Sequence, residues 1–228
     1  SSCETLDQRG YTRSSACDLG AHEVVGCAAQ SIPVPTAEWH LISLPCDPGA
    51  SNTVADILGD DLSGVYGTDW GVWLFDASAG TSGSYVFLTT ASTMSPGVGY
   101  WLIHLGSGES WSMDGSNDIN GEPFELVLTD AHDGSPAQQN LVGNPTERSL
   151  SWDEFMVVDT NGNCYGSPDI GELPGTSGLI DNAINWYNGS SYTTCDDTGT
   201  NPPCTLDAGE GFWVDRKSTR LNSSHLVI

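Results

Sequence analysis

Basic residues are scarce in this chain: Lys and Arg number six against thirty Asp and Glu, a net charge of −24 over 228 residues. Residues 1–215 hold all thirty acids, only Arg9, Arg13 and Arg148 as cations, and no lysine. Such a body repels phosphate backbones and anionic lipid, which argues against nucleic-acid and membrane-surface partners. Long apolar runs are also missing; no stretch of about 18 such residues exists, so no transmembrane helix is expected. Runs of Ala, Leu, Glu and Lys, the usual helix material, are absent. Seven cysteines occur without a CxxC pair, a usage that suits disulfides in an oxidising compartment better than zinc. Initiator Met and signal peptide are lacking, so the chain is expected to begin inside a longer precursor or after processing.

Catalytic signatures are lacking too. There is no HExxH, no GxSxG elbow, and no phosphate-binding glycine loop or GxGxxG opening a helix. The five histidines are scattered at positions 22, 40, 104, 132 and 225. His40 and His104 lie in strand candidates, where a surface or satisfied core role outweighs ligation. The reading is therefore non-catalytic.

What is present is glycine (27 residues), eight Trp and seven Tyr, in short β-branched and aromatic stretches cut by Gly, Asn, Asp, Ser and Pro. That pattern predicts an all-β fold, a β-sandwich or barrel-like tandem repeat with short helices. The repeat opens WHLISLP (39–45) and QNLVGNP (139–145), each a strand candidate halted by proline. A helix candidate follows in each copy. In the first, Val54, Ile57, Leu58 and Leu62 share a face and Thr53 with Asp56 forms a cap pair; in the second, Ser151 and Glu154 have capping-box spacing. Aromatic hairpins come next, VWLFDASAGTSGSYVFL (72–88) and INWYNGSSYTT (184–194), with Trp73 and Trp186 at roughly matched places. Asn188-Gly189 is a tight-hairpin signal. Both copies close on Gly-x-Gly-aromatic-Trp: Gly97, Gly99, Tyr100 and Trp101, then Gly209, Gly211, Phe212 and Trp213. The glycines read as folding devices that permit positive φ or close backbone approach. SWSMDG and FELVLTD supply two further strands.

Three resemblances organise the rest. Asp7, Gln8, Arg9 and Gly10, then Cys17, Asp18, Gly20, Ala21 and Glu23, resemble the ending of secreted bacterial right-handed β-helices of the choice-of-anchor Q type. The repeat resembles modules near the C-termini of large secreted bacterial proteins, and Leu141 to Pro145 is similar to modules preceding type IX sorting signals, although Gln139 stands where that pattern has Trp. The tail RKSTRLNSSHLVI resembles a translated sequencing adapter. These imply the end of a β-helix at 1–23, a linker at 24–37, module copy 1 with connecting strands at 38–137, copy 2 (truncated) at 138–215, and an artefactual tail at 216–228.

Candidate sites are few. Cys3 with Cys17, and Cys195 with Cys204, bracket short loops that disulfides would staple. Asp159, Asn161 and Asn163 alternate as calcium ligands do. Cys164 and Ile170 stand where an EF-hand needs Gly and Glu, so an Asx-rich turn competes and no cofactor is required. Trp70 and Trp111 lack repeat counterparts and are the candidates for an exposed carbohydrate-binding platform. The expectation is a secreted, extracellular or cell-surface module, structural or adhesive, joined to an upstream β-helix of the same polypeptide. The alternative is an accessory carbohydrate-binding module of a polysaccharide-active enzyme, with extracellular polysaccharide as partner.

Overall fold

The computed structural model describes residues 31–80, 82–106, 108–113, 124–128, 137–158, 164–166, 180–196, 205–217 and 224–227. These form an all-β, sandwich-like fold of open antiparallel sheets with one short α-helix. After β1 (Ile32–Val34), the first copy runs β2 (Trp39–Ser43), α1 (Val54–Leu58), β3 (Trp70–Asp76), β4 (Ser84–Phe87) and β5 (Gly99–His104). Next come β6 (Glu109–Trp111) and β7 (Glu125–Leu128). The second copy runs β8 (Ala137–Gly143), β9 (Leu150–Ser151), a 3-10 turn at Trp152–Glu154, β10 (Met156–Val158) and β11 (Cys164–Gly166). It continues with β12 (Ile180–Tyr187), β13 (Tyr192–Asp196), β14 (Thr205–Leu206), β15 (Gly211–Lys217) and β16 (Ser224–Val227).

The repeat is real at the level of topology. One four-stranded sheet has the order β2-β5-β3-β4 and another β8-β15-β12-β13, so equivalent strands occupy equivalent places. Registers match as well: Leu41 faces Trp101 and Ile42 faces Tyr100, while Leu141 faces Trp213 and Val142 faces Phe212. Because side chains alternate along a strand, each sheet has two working faces. One face covers a core private to its copy. In the first copy Ile42, Val72, Tyr100 and Leu102 pack with the buried α1 residues Val54, Ile57 and Leu58 and with Leu62. In the second, Val142, Ile184, Phe212 and Val214 pack with Trp152 and Phe155. The opposite faces meet each other, and Leu41, Trp101, Leu141 and Trp213 form a third core shared between copies.

Local chemistry explains the short elements. Thr53 caps α1: its hydroxyl accepts from the Asp56 N–H (3.2 Å), and the Asp56 carboxylate accepts from the Thr53 N–H (3.1 Å), a reciprocal box. In the second copy the Glu154 carboxylate accepts from the Ser151 N–H at 2.8 Å, closing a single 3-10 turn. Buried Asn144 stands where the first copy has Leu44; its amide donates to the carbonyls of Arg148, Leu206 and Asp207 at 2.7–3.1 Å. The Asn188-Gly189 signal yields a hairpin, but a four-residue one: Tyr187 pairs with Tyr192, and the Asn188 side chain accepts from the Ser190 and Ser191 N–H groups.

Four strands cross the expected boundaries. Glu125–Leu128, expected with copy 1, pairs with β16 beside β10, and Leu128 lies in the second copy's core. Ile32–Val34, inside the expected linker, pairs as a strand with Glu109–Trp111. Arg216 and Lys217 extend β15 against Gln138 and Ala137, so the second copy runs two residues past 215. Ser224–Val227 of the tail forms a strand between β7 and β10.

The glycines of the closing motifs also act between the copies. The Ser43 N–H donates to the Gly209 carbonyl (2.8 Å) and the Gly143 N–H to the Gly97 carbonyl (2.9 Å). Ile42 bridges Glu210 as Val142 bridges Val98. Such reciprocity is the signature of an approximate two-fold relation. Gly97 and Gly209 adopt φ of +74° and +78°, where a Cβ is strained. A Cβ on Gly99 would lie 2.5 Å from the Val142 carbonyl oxygen, and one on Gly211 3.0 Å from that of Ile42. Gly99→Ala is expected to cost about 1–3 kcal/mol as the copies are pushed apart, and Gly211→Ala less. Urea denaturation midpoints read both, and an unchanged midpoint for Gly99→Ala would remove the clasp as a determinant of stability.

Candidate functional site

At one side of the shared face the two copies leave a cleft of about 370 Å³ lined by Trp39, Trp73, Tyr85, Trp101 and Tyr187. Pairing builds its walls. Trp73 lies opposite Trp101 in the β3–β5 register, and Trp39 enters from the neighbouring strand β2. Tyr85 comes from β4, where it faces Phe75. Tyr187 crosses over from β12 of the second copy. The rings meet edge to face: Trp39 with Trp73 at 4.9 Å and 66°, Trp39 with Trp101 at 6.0 Å and 90°, and Trp101 with Tyr187 at 5.2 Å and 68°. Trp39 and Tyr85 remain 39% and 55% exposed, so the cleft opens to solvent, whereas Trp101 at 8% forms its floor.

The cleft breaks the two-fold relation. The contact of Trp101 with Tyr187 has its mirror in Phe75 with Trp213, at 4.8 Å and 78°. The contact of Phe75 with Tyr85 is likewise mirrored by Tyr187 with Tyr192, whereas Trp39 and Trp73 have no aromatic counterpart. Trp39 corresponds to Gln139 by register, and Trp73, opposite Trp101, corresponds to Asn185, opposite Trp213. The matching of Trp73 with Trp186 is therefore one residue out. An irregularity in β12 between Ile180 and Ile184 accompanies the offset, and one residue along a strand reverses the face a side chain serves. Trp186 accordingly lines a different cavity.

Trp70 and Trp111 require correction. They are 5% and 1% exposed and belong to the first copy's core. Tyr66 packs edge-on against Trp70 at 4.7 Å, and Trp111 sits in β6 opposite Ile32. Rings covered in this way present no face to a sugar. Lack of an aromatic counterpart in the other copy also holds for Trp39 and Trp73, which line the cleft. The Trp39–Gln139 mismatch was visible in the sequence, and the Trp73–Asn185 mismatch needed the register.

Other candidates fare variously. Asp159, Asn161 and Asn163, and Cys3, Cys17 and Cys204, lie outside the described residues. Cys46 and Cys195 are buried, one in each private core, and disulfide-bonded. His104 is a satisfied core histidine: its Nδ1 accepts from the Gly106 N–H (3.1 Å), which leaves Nε2 to donate to the Ser63 carbonyl (3.0 Å). Among the described residues no group of three or more His, Cys, Asp or Glu is arranged to hold a metal ion.

A second cavity between the copies, about 480 Å³, is lined in part by His40, Trp186, Asp207 and Glu210. Burial lowers the His40 pKa, with the Glu38 charge acting against it. Burial likewise raises the Glu210 carboxyl; the hydrogen bond from the Asp207 N–H (2.8 Å) opposes the rise and the Asp207 charge adds to it. Both groups are shifted towards their neutral forms, which marks a partly dry seam between the copies.

Compared with known proteins, the chain matches no family model, no curated protein and no solved structure.

The Glu210 shift has a definite sign. An acid whose folded pKa is raised binds more protons in the native state, so its contribution favours folding at low pH and is lost as pH rises through the folded value. Glu210→Gln keeps an acceptor for the Asp207 N–H and removes the buried charge. It is expected to melt above the parent protein near pH 7, with the gap closing towards about pH 4. A gap independent of pH would mean that the charge is not what matters.

Proposed function

We propose that this chain is a non-catalytic module of a larger secreted protein, working outside the cell in a structural or adhesive role, and that the aromatic cleft is where it makes contact. The observation that carries the reading is the cleft itself. Large aromatic rings stand half-exposed at positions where folding of the equivalent copy manages with Gln139 and Asn185. Exposed aromatic surface that packing does not require favours an interaction site.

Composition supports the compartment. A net charge of −24 keeps the surface hydrated and turns away nucleic acid and anionic lipid. Disulfide-bonded Cys46 and Cys195 suit an oxidising exterior. Among the described residues no helix is long and apolar enough to cross a membrane. The reciprocal clasp favours a mechanical part, since it joins two small cores into one body. The β-helix-like residues 1–23 suggest a stalk that this body would cap. Aromatic rings in a cleft also keep the carbohydrate-binding alternative in play, relocated from Trp70 and Trp111 to the cleft.

Beads carrying the full chain, passed over isolated bacterial cell envelopes and over crystalline cellulose, separate the two roles. Retention on envelopes is expected, falling ~10-fold for the Trp39→Ala, Tyr85→Ala double variant, as for loss of an interface anchor. Retention on cellulose alone would favour the carbohydrate module. Binding indifferent to the double variant would take the contact away from the cleft.

A further inference from the structure

We propose that the cleft is a cage for an organic cation of the quaternary or alkylated ammonium class, held against the faces of Trp39, Trp73, Trp101 and Tyr187. The proposal rests on the cleft being the contact site and adds the chemistry of what enters it.

The argument begins with ring geometry. A pyranose stacks on a flat platform, which calls for rings lying side by side in one plane. Here neighbouring rings stand at 66°, 90° and 68°, so they enclose a space from several directions. An aromatic face carries the negative lobe of the ring quadrupole. Walls set at steep angles offer aromatic surface from more than one direction, which suits a compact group with positive charge spread over its surface.

The lining points the same way. The five side chains are all aromatic, with no carboxylate, amide or guanidinium among them. A sugar's hydroxyls would find only two phenols and the indole N–H groups, whereas an alkylated ammonium needs no hydrogen bonds. A volume of about 370 Å³ is at the small end of ligand pockets, enough for a trialkylammonium head with a short body.

Charge complementarity selects the sign. The net charge of −24 raises the local concentration of any cation. Among the described residues, Arg148 is ion-paired with Glu154 at 2.6 Å and Arg216 is buried; neither arginine lines the cleft.

Choline and its neutral tert-butyl analogue, in which carbon replaces the nitrogen, are nearly the same shape and differ in charge. Titrated into the full chain with tryptophan fluorescence as readout, choline is expected to bind ~10-fold or more tightly than the analogue. Trp39→Ala should weaken choline ~10-fold while melting near the parent, because that ring is partly exposed. Trp39→Phe should restore most of the loss.

Equal affinity for both probes, or no response to choline, would overturn the cage. Trp39-dependent binding of a neutral cello-oligosaccharide in place of choline would also overturn the cage, yet keep the cleft as contact site. Choline binding untouched by both Trp39→Ala and Tyr85→Ala would overturn the cleft itself.

Discussion

Among the described residues, the tightest constraint is the approach of the two copies where Ser43 of one meets Gly143 of the other. No Cβ fits on Gly143 against that serine. Around this point the hydrogen bonds from Ser43 and Gly143 run in opposite senses to Gly209 and Gly97. Two edge strands, β2 and β8, are thereby held within hydrogen-bonding distance of loops in the other copy. The remaining arrangement follows. With the edges clasped, the sheet faces carrying Leu41, Trp101, Leu141 and Trp213 have nowhere to turn except towards each other, and they exclude water as one cluster. Burial of four large side chains there supplies the association energy, and the glycines permit the distance at which it is gained.

Each copy nevertheless keeps a private core, and the two are filled differently. The first is capped by α1 and its Thr53–Asp56 box; the second makes do with a single 3-10 turn under Trp152 and Phe155. Asn144 compensates, since its amide contacts with the Leu206 and Asp207 carbonyls tie the start of the second copy to that strand end, and the one with the Arg148 carbonyl closes its own turn. A buried amide held so completely is costly to remove, whereas Leu44 at the equivalent place contributes by packing alone.

Local features were legible in the sequence. Strand alternation, the cap pair of α1 and the order of elements depend on neighbours a few residues apart, and the structure places them as read. Features that depend on distant partners were not. Gly97, Gly99, Gly209 and Gly211 announced close approach, but one copy considered alone does not reveal that the approaching backbone belongs to the other. Trp186 and Trp73 look equivalent in the sequence because each stands in the aromatic stretch that opens its hairpin; the register that separates them is set by pairing with β15. Trp70 and Trp111 looked unmatched and hence spare, while their burial comes from Tyr66, Ile32 and a core assembled across some eighty residues of chain.

Joining two related folds in one polypeptide has a consequence for stoichiometry. In a dimer of identical subunits every substitution appears twice, so an aromatic added to one groove is added to its mirror image. Within a single chain the two copies vary independently, and here one carries Trp39 and Trp73 where the other has Gln139 and Asn185. With the cleft in the proposed role, the described residues offer one such site despite their symmetry. Any clustering of partners by this part of the protein would have to come from how many copies of the whole chain are displayed together.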